Sequence, residues 1–146
     1  MNPTDHDPYD LERFVDAQDS GETYERALAE LQSGYKQSHW MWFVFPQIAG
    51  LGQSPISRRF AIQSLDEAKA YLAHPVLGPR LRECTTAVLG HTGKAADDIF
   101  GGIDAIKLRS SVTLFALADP AEPSFRQVID ALFGGAADPA TERLAS

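Results

Sequence analysis

Cysteine is nearly absent from this chain. Cys84 is the only one in 146 residues, so no internal disulfide can form. None is needed, since a chain of this size buries roughly 70% of its unfolded surface in one core. Basic residues are also scarce: 13 Lys and Arg stand against 20 Asp and Glu, a net charge of -7. That excludes a broad phosphate-binding face and points away from general nucleic-acid binding, while leaving room for a local basic pocket. Long apolar runs are missing too. The longest, Trp40 to Phe45, stops at Pro46 and falls far short of the ~20 residues that span a bilayer. Histidines are few and scattered (His6, His39, His74 and His91), and with one cysteine they offer no metal-ligand spacing. No metal and no cofactor are expected. No internal repeat and no secretory leader stand out, so the expectation is a reducing, cytoplasmic setting and a monomer.

What is present is concentrated in one stretch, Ser38-His39-Trp40-Met41-Trp42-Phe43-Val44-Phe45-Pro46-Gln47, which holds both tryptophans. Its apolar residues run without alternation, a pattern open to a buried strand or a short buried helix. No second convincing strand exists to pair with it, so the reading is a short helix capped by Ser38. Pro46 ends it, and Ala49 to Pro55 reads as a turn-rich loop.

The rest of the chain is helical in pattern. Asp10 reads as the cap of a first helix carrying Leu11, Phe14 and Val15. Tyr24, Leu28 and Leu31 lie on one face of a second helix, Glu22 to Gln32, which Gly34 closes. Ser64-Leu65-Asp66-Glu67 is a capping box opening a helix to Ala73. Leu77, Leu81, Cys84 and Val88 form a seam spaced 4, 3, 4. Ala95 to Phe100 is a short helix. Asp104 caps the next, whose apolar residues Leu108, Val112, Leu114, Phe115 and Leu117 cover more than one face, as in a central helix. Pro123 opens the last, with Phe125, Val128, Ile129, Leu132 and Phe133 as its stripe. The fold class is therefore all-α: a single multihelical globular domain of about eight helices over residues 10–134, not a regular four-helix bundle. Residues 1–9 read as a flexible arm and 135–146 as a flexible tail.

Two polar groups interrupt these apolar segments. In the first, His39 is a candidate acid or base beside aromatic rings. Trp40 and Trp42 could stack a ring. They cannot share one helical face, so at least one belongs to the core. Lys36 could meet an anion, and Gln47, its direction set by Pro46, could read a hydrogen-bonding edge. In the second group, Asp104, Lys107 and Ser111 share a helix face, and Ser110 lies on the same turn as Lys107. A lysine one turn from a serine can hold an anion or activate the hydroxyl. His39, Lys107 and Ser111 are thus the catalytic candidates. Lys36, Trp40, Trp42, Gln47, Asp104 and Ser110 are the ligand-binding ones, with Arg13 and Gln18 of the first helix beside them. Each also has an ordinary structural explanation as cap, core or solvated surface. Cys84 sits on the core stripe and reads as a small buried hydrophobe.

The order Leu11-x-Arg13-Phe14-x-x-Ala17-Gln18, then Lys36-x-Ser38-His39-Trp40-Met41-Trp42-Phe43-x-Phe45-Pro46-Gln47, then Asp104-x-x-Lys107-Leu108-x-Ser110-Ser111-x-Thr113-Leu114-Phe115, resembles the bacterial family catalogued as domain of unknown function 1810. Ala70-Tyr71-Leu72-x-His74-Pro75 and Gly50-Leu51-Gly52-x-Ser54 extend the likeness, and Val112 departs from it where methionine is expected. The resemblance implies one all-helical domain and implies no activity. The residues themselves support two readings. One is a ligand-binding or enzymatic pocket for a small anionic or nucleotide-like molecule. The other is a non-catalytic protein-interaction module whose motif residues are structural. The first requires the polar groups to converge on a concavity.

Overall fold

The central element is α8, Gly102–Ala118. Its sequence is apolar nearly all round, and such a helix is stable only when neighbours cover most of its faces. The computed structural model, which describes residues 7–146, provides them. Helices α5 (Leu65–Ala73), α7 (Ala96–Phe100), α9 (Pro123–Leu132) and α10 (Pro139–Ala145) all pack on α8. A second layer holds α1 (Glu12–Asp19), α2 (Thr23–Ser33) and α6 (Leu77–Leu89), with α2 and α5 both against α6. The short α3 (Met41–Val44) and α4 (Pro55–Arg59) complete ten α-helical segments among the described residues. The fold is all-α. Its nearest approach to a strand pairing is an isolated parallel bridge between Ile48 and Ile62.

The core is aromatic along its length. Tyr71 contacts Phe14 edge-on with centroids 5.1 Å apart, and Phe115 at 5.3 Å. Phe115 reaches Phe125 at 5.9 Å, and Phe14 reaches Phe60 at 5.7 Å. The expected seam of Leu77, Leu81, Cys84 and Val88 is buried. Gly34 ends α2 in the left-handed region at φ 79°, returning its N–H to Glu30 and Leu31. The Ser64 hydroxyl caps α5 by accepting the Glu67 N–H at 3.1 Å.

Several local expectations need correction. Asp10 does not cap α1: it adopts φ 52°, and the Asp7 carboxylate accepts the N–H groups of Leu11 and Glu12. Ser38 does not cap α3, because its hydroxyl donates to Glu30. Asp104 lies within the first turn of α8, which begins one turn-residue pair earlier, after Gly101. Residues 55–59 form a helix because Pro55 supplies a first turn and Ser54 accepts the Ser57 N–H. The segment read as a flexible tail contains α10. Asp138 caps it through the Ala140 N–H, and Thr141 in its first turn is fully buried. Of the segment read as a flexible arm, residues 1–6 lie outside the described residues.

Candidate functional site

The aromatic stretch is positioned by a residue the sequence reading passed over. Glu30, on the last turns of α2, accepts the N–H groups of Gln37 and Ser38 at 2.8 and 3.0 Å. It also accepts the Ser38 hydroxyl at 2.6 Å and the Trp40 indole N–H at 2.9 Å. Burial alone would raise its pKa. The bonds from Ser38, Gln37 and Trp40 outweigh that and hold the carboxyl down at about 2. A carboxylate with this many donors is a fixed post, and the loop from Gln37 to Trp40 is wrapped on it. The only signal in the sequence was its place one turn before Gly34, and that does not distinguish it from a surface glutamate.

With Trp40 anchored, the two tryptophans part. Trp40 is fully buried, whereas Trp42 stays partly exposed. Each carries an ammonium on its ring: Lys36 Nζ lies 4.9 Å from the Trp40 ring centroid, and Lys107 Nζ lies 4.9 Å from that of Trp42. Asp104 joins them. Its Oδ2 is 2.8 Å from Lys36 Nζ, and its Oδ1 is 3.8 Å from Lys107 Nζ. Lys36 is 7% exposed and also donates to the Ser38 carbonyl at 2.5 Å. Two ammoniums therefore share one carboxylate, and the close contact belongs to Lys36.

Lys107 opens onto a groove of about 320 Å³ lined by Gln47, Leu51, Gly52, Ile103, Ile106, Ser110, Asp138 and Ala140. Three segments build it. Gln47 is placed by the Ile48–Ile62 bridge, where Ile62 N–H donates to the Gln47 carbonyl and Ala49 N–H to that of Ile62, both at 2.8 Å. Gly52 is required by closeness, because a Cβ there would lie 2.4 Å from that of Ser57. Trp42, Gln47 and Gly52 meet in a smaller recess beside the groove. The far wall is α10. Asp138 Oδ2 accepts the hydroxyls of Ser110 and Thr141 at 2.8 and 2.6 Å. Its backbone N–H donates to Thr113 at 3.0 Å. Burial would raise the Asp138 pKa, but the bonds from Thr141, Ser110 and Ala140 and the charge of Arg109 hold it below the usual aspartate value.

The structure brings Lys36, Trp42, Gln47, Asp104, Lys107 and Ser110 into this one neighbourhood. The other candidates lie apart. His39 is exposed, does not line the groove, and makes no side-chain hydrogen bond among the described residues. Ser111 is fully buried with its hydroxyl unpartnered. Gln18 is a core residue: its amide donates to the Phe43 carbonyl at 2.7 Å and its oxygen accepts from Arg80 at 3.2 Å. Arg13 pairs with Glu67 at 2.9 Å and donates to backbone carbonyls around it. No hydroxyl or thiol stands within hydrogen-bond reach of a histidine among the described residues, and burial pushes the Cys84 thiol up to about 12. Nor do three His, Cys, Asp or Glu side chains group there as metal ligands would. No helix of the described residues is long and apolar enough to cross a membrane. The arrangement can hold a molecule by charge and apolar contact.

The family model described as "Protein of unknown function (DUF1810)" matches residues 8–145. The crystal structure of the conserved hypothetical protein Rv1873 from Mycobacterium tuberculosis is similar at a TM-score of 0.92 and 49% identity, over 95% of this chain and 98% of that one. No curated protein matches the chain.

Proposed function

The chain belongs to this family of unknown function (DUF1810), and we propose that it binds a small anionic molecule in the groove between the Gln47–Gly52 loop, α8 and α10. One observation carries the reading. The Lys107 ammonium faces a mainly apolar groove while the carboxylate nearest to it is held more closely by Lys36. An ammonium has three donors. The long contact to Asp104 and the face of Trp42 leave at least one free to meet a ligand. The volume lies at the small end of ligand pockets, which run ~300–1,000 Å³. Binding without covalent chemistry is the better-supported role, since the one hydroxyl–carboxylate contact beside Lys107, Ser110 on Asp138, sets the hydroxyl against a carboxylate whose lowered pKa makes it a poor base.

A thermal-shift panel of anionic metabolites and nucleotides tests this on the wild type, Lys107→Ala and His39→Ala. The expected result is at least one compound that raises the melting temperature of wild type and His39→Ala but not of Lys107→Ala. A stabiliser that acts equally on Lys107→Ala, or no stabiliser at all, removes the proposal.

A second reading, a protein-docking face, draws on Ile103 and Ile106, which are 74% and 67% exposed on the rim of the same groove. The two differ in the size of what binds. Stabilisation of the isolated chain by a free small molecule belongs to the first alone.

A further inference from the structure

We infer that the ligand of this groove carries one negative charge on an apolar body, as in the carboxylate of a short aliphatic or aryl acid, and is not a phosphate ester or nucleotide. The inference rests on the binding reading above and narrows its ligand class.

Charge sets the first limit. Lys36 and Lys107 share the single carboxylate of Asp104, leaving one positive charge over at the mouth of the groove. The opposite wall holds the Asp138 carboxylate, kept ionised by Ser110, Thr141 and Ala140. Arg109 does not line the groove, and its guanidinium donates to the Ala136 and Ala137 carbonyls at 2.7 and 2.8 Å. A single anionic oxygen pair on Lys107 matches that one charge. A phosphate dianion or a polyphosphate brings more charge than the cation balances and faces the Asp138 carboxylate on the opposite wall, where like charges repel.

Donor supply sets the second limit. Phosphate sites gather several backbone N–H groups or forked guanidiniums around the tetrahedral anion. Here the side-chain donors not already committed are Lys107 and the Gln47 amide, which suits the two oxygens of a carboxylate.

Surface character sets the third. Leu51, Ile103, Ile106 and Ala140 line the groove, and Ile103 and Ile106 stand largely in water. Covering them requires an apolar body attached to the anion, since a free inorganic anion would leave both isoleucines exposed. The three limits together describe an amphiphilic monoanion.

The test is an NMR chemical-shift titration of the ¹⁵N-labelled chain, following the Trp42 indole N–H and the backbone of Gly52 and Ile106. The probes are hexanoate, phenylacetate, hexan-1-ol, hexyl phosphate, AMP and inorganic phosphate. Hexanoate and phenylacetate should shift these signals saturably. Lys107→Ala should weaken that binding by about tenfold or more, and Lys107→Arg should retain most of it. Hexan-1-ol and hexyl phosphate should both bind more weakly than hexanoate. Asp138→Asn, which keeps a capping side chain, should narrow the gap between hexyl phosphate and hexanoate. Tighter binding of hexyl phosphate or AMP than of hexanoate, still dependent on Lys107, overturns this inference and leaves the binding reading standing. Equal binding of hexan-1-ol and hexanoate overturns it as well. Failure of every probe at these signals removes both.

Discussion

Arg13 and Lys107 are both cations resting on aromatic rings, Arg13 at 4.3 Å from the centroid of Phe14 and Lys107 at 4.9 Å from that of Trp42. Around Arg13 the protein supplies every partner: the Tyr9, Asp10, Arg59 and Ala61 carbonyls and the Glu67 carboxylate. Around Lys107 it supplies one carboxylate at 3.8 Å, already engaged by another lysine. The two sites have the same kind of charge on the same kind of surface. What separates a structural clamp from a binding site is how many donors remain without a partner. By that measure Arg13 ties the N-terminal end of α1 to the 59–61 turn and to α5, and Lys107 faces outward.

The widest separation of the two is expected in stability. Arg13→Ala leaves Glu67, 2% exposed, buried with only the Gln63 N–H and the Ser64 cap region beside it. Removing one partner of a buried pair costs ~3–5 kcal/mol. Lys107→Ala removes a long, partly solvated contact, for which ~1 kcal/mol or less is expected. Urea denaturation of both variants measures the difference. Equal losses would mean that the Asp104 pair holds the fold as the Glu67 pair does, and the reading of Lys107 as an available cation would not stand.

Glu30 lies between these extremes, since it is structural yet sits directly behind the Lys36–Trp40 loop. Its carboxyl has a folded pKa of about 2 against an ordinary 4.5. A group depressed in this way stabilises the fold fully above its unfolded value, and loses that contribution as pH falls from about 4.5 toward 2. Glu30→Gln keeps the shape and can leave its oxygen on the three N–H groups, but it removes the charge and sets an NH2 against the Ser38 hydroxyl, for an expected loss of ~2 kcal/mol at neutral pH. The variant should also show a flatter stability profile than wild type between pH 5 and pH 2. Matching profiles would show that Glu30 is not the group that couples this loop to acid.

The helices were legible because their signals are local. The capping box at Ser64, the seam from Leu77 to Val88 and the all-round apolarity of α8 depend on spacing alone, and each held. Helix α10 was not legible. Its anchor is polar and distant in sequence, joining Asp138 to Ser110 and Thr113, and its short stretch from Pro139 to Ala145 has little apolar periodicity. In the candidate site, helical spacing set Asp104 beside Lys107 and Ser110 on the same turn, and Gln47 followed from the proline before it, but Ser111, expected on the face of Asp104 and Lys107, is buried. Glu30 and Asp138 were missed because a carboxylate that collects backbone and hydroxyl donors from a remote loop looks in sequence like any solvated acid. His39 drew notice for its neighbours, yet the anchoring of Trp40 inward turns the adjacent His39 outward.

The finest contrast is between two adjacent serines on α8. Ser110 donates to Asp138 and Ser111 points into the core, where its hydroxyl has no partner among the described residues. A buried hydroxyl without a hydrogen bond is a cost to the folded state, whereas one that holds a carboxylate is a gain. Ser111→Ala removes the cost and, because alanine also favours the helix, should leave stability unchanged or raise it by up to ~1 kcal/mol. Ser110→Ala takes one donor from Asp138 and should lower stability by about the same ~1 kcal/mol. Opposite signs from the same substitution one residue apart would place Ser111 in the packing of α8 and outside the groove chemistry. A loss above ~1 kcal/mol for Ser111→Ala would instead mean that its hydroxyl has a partner, such as a buried water. In that case the inner face of α8 would hold a second polar position beside the one that faces Lys107.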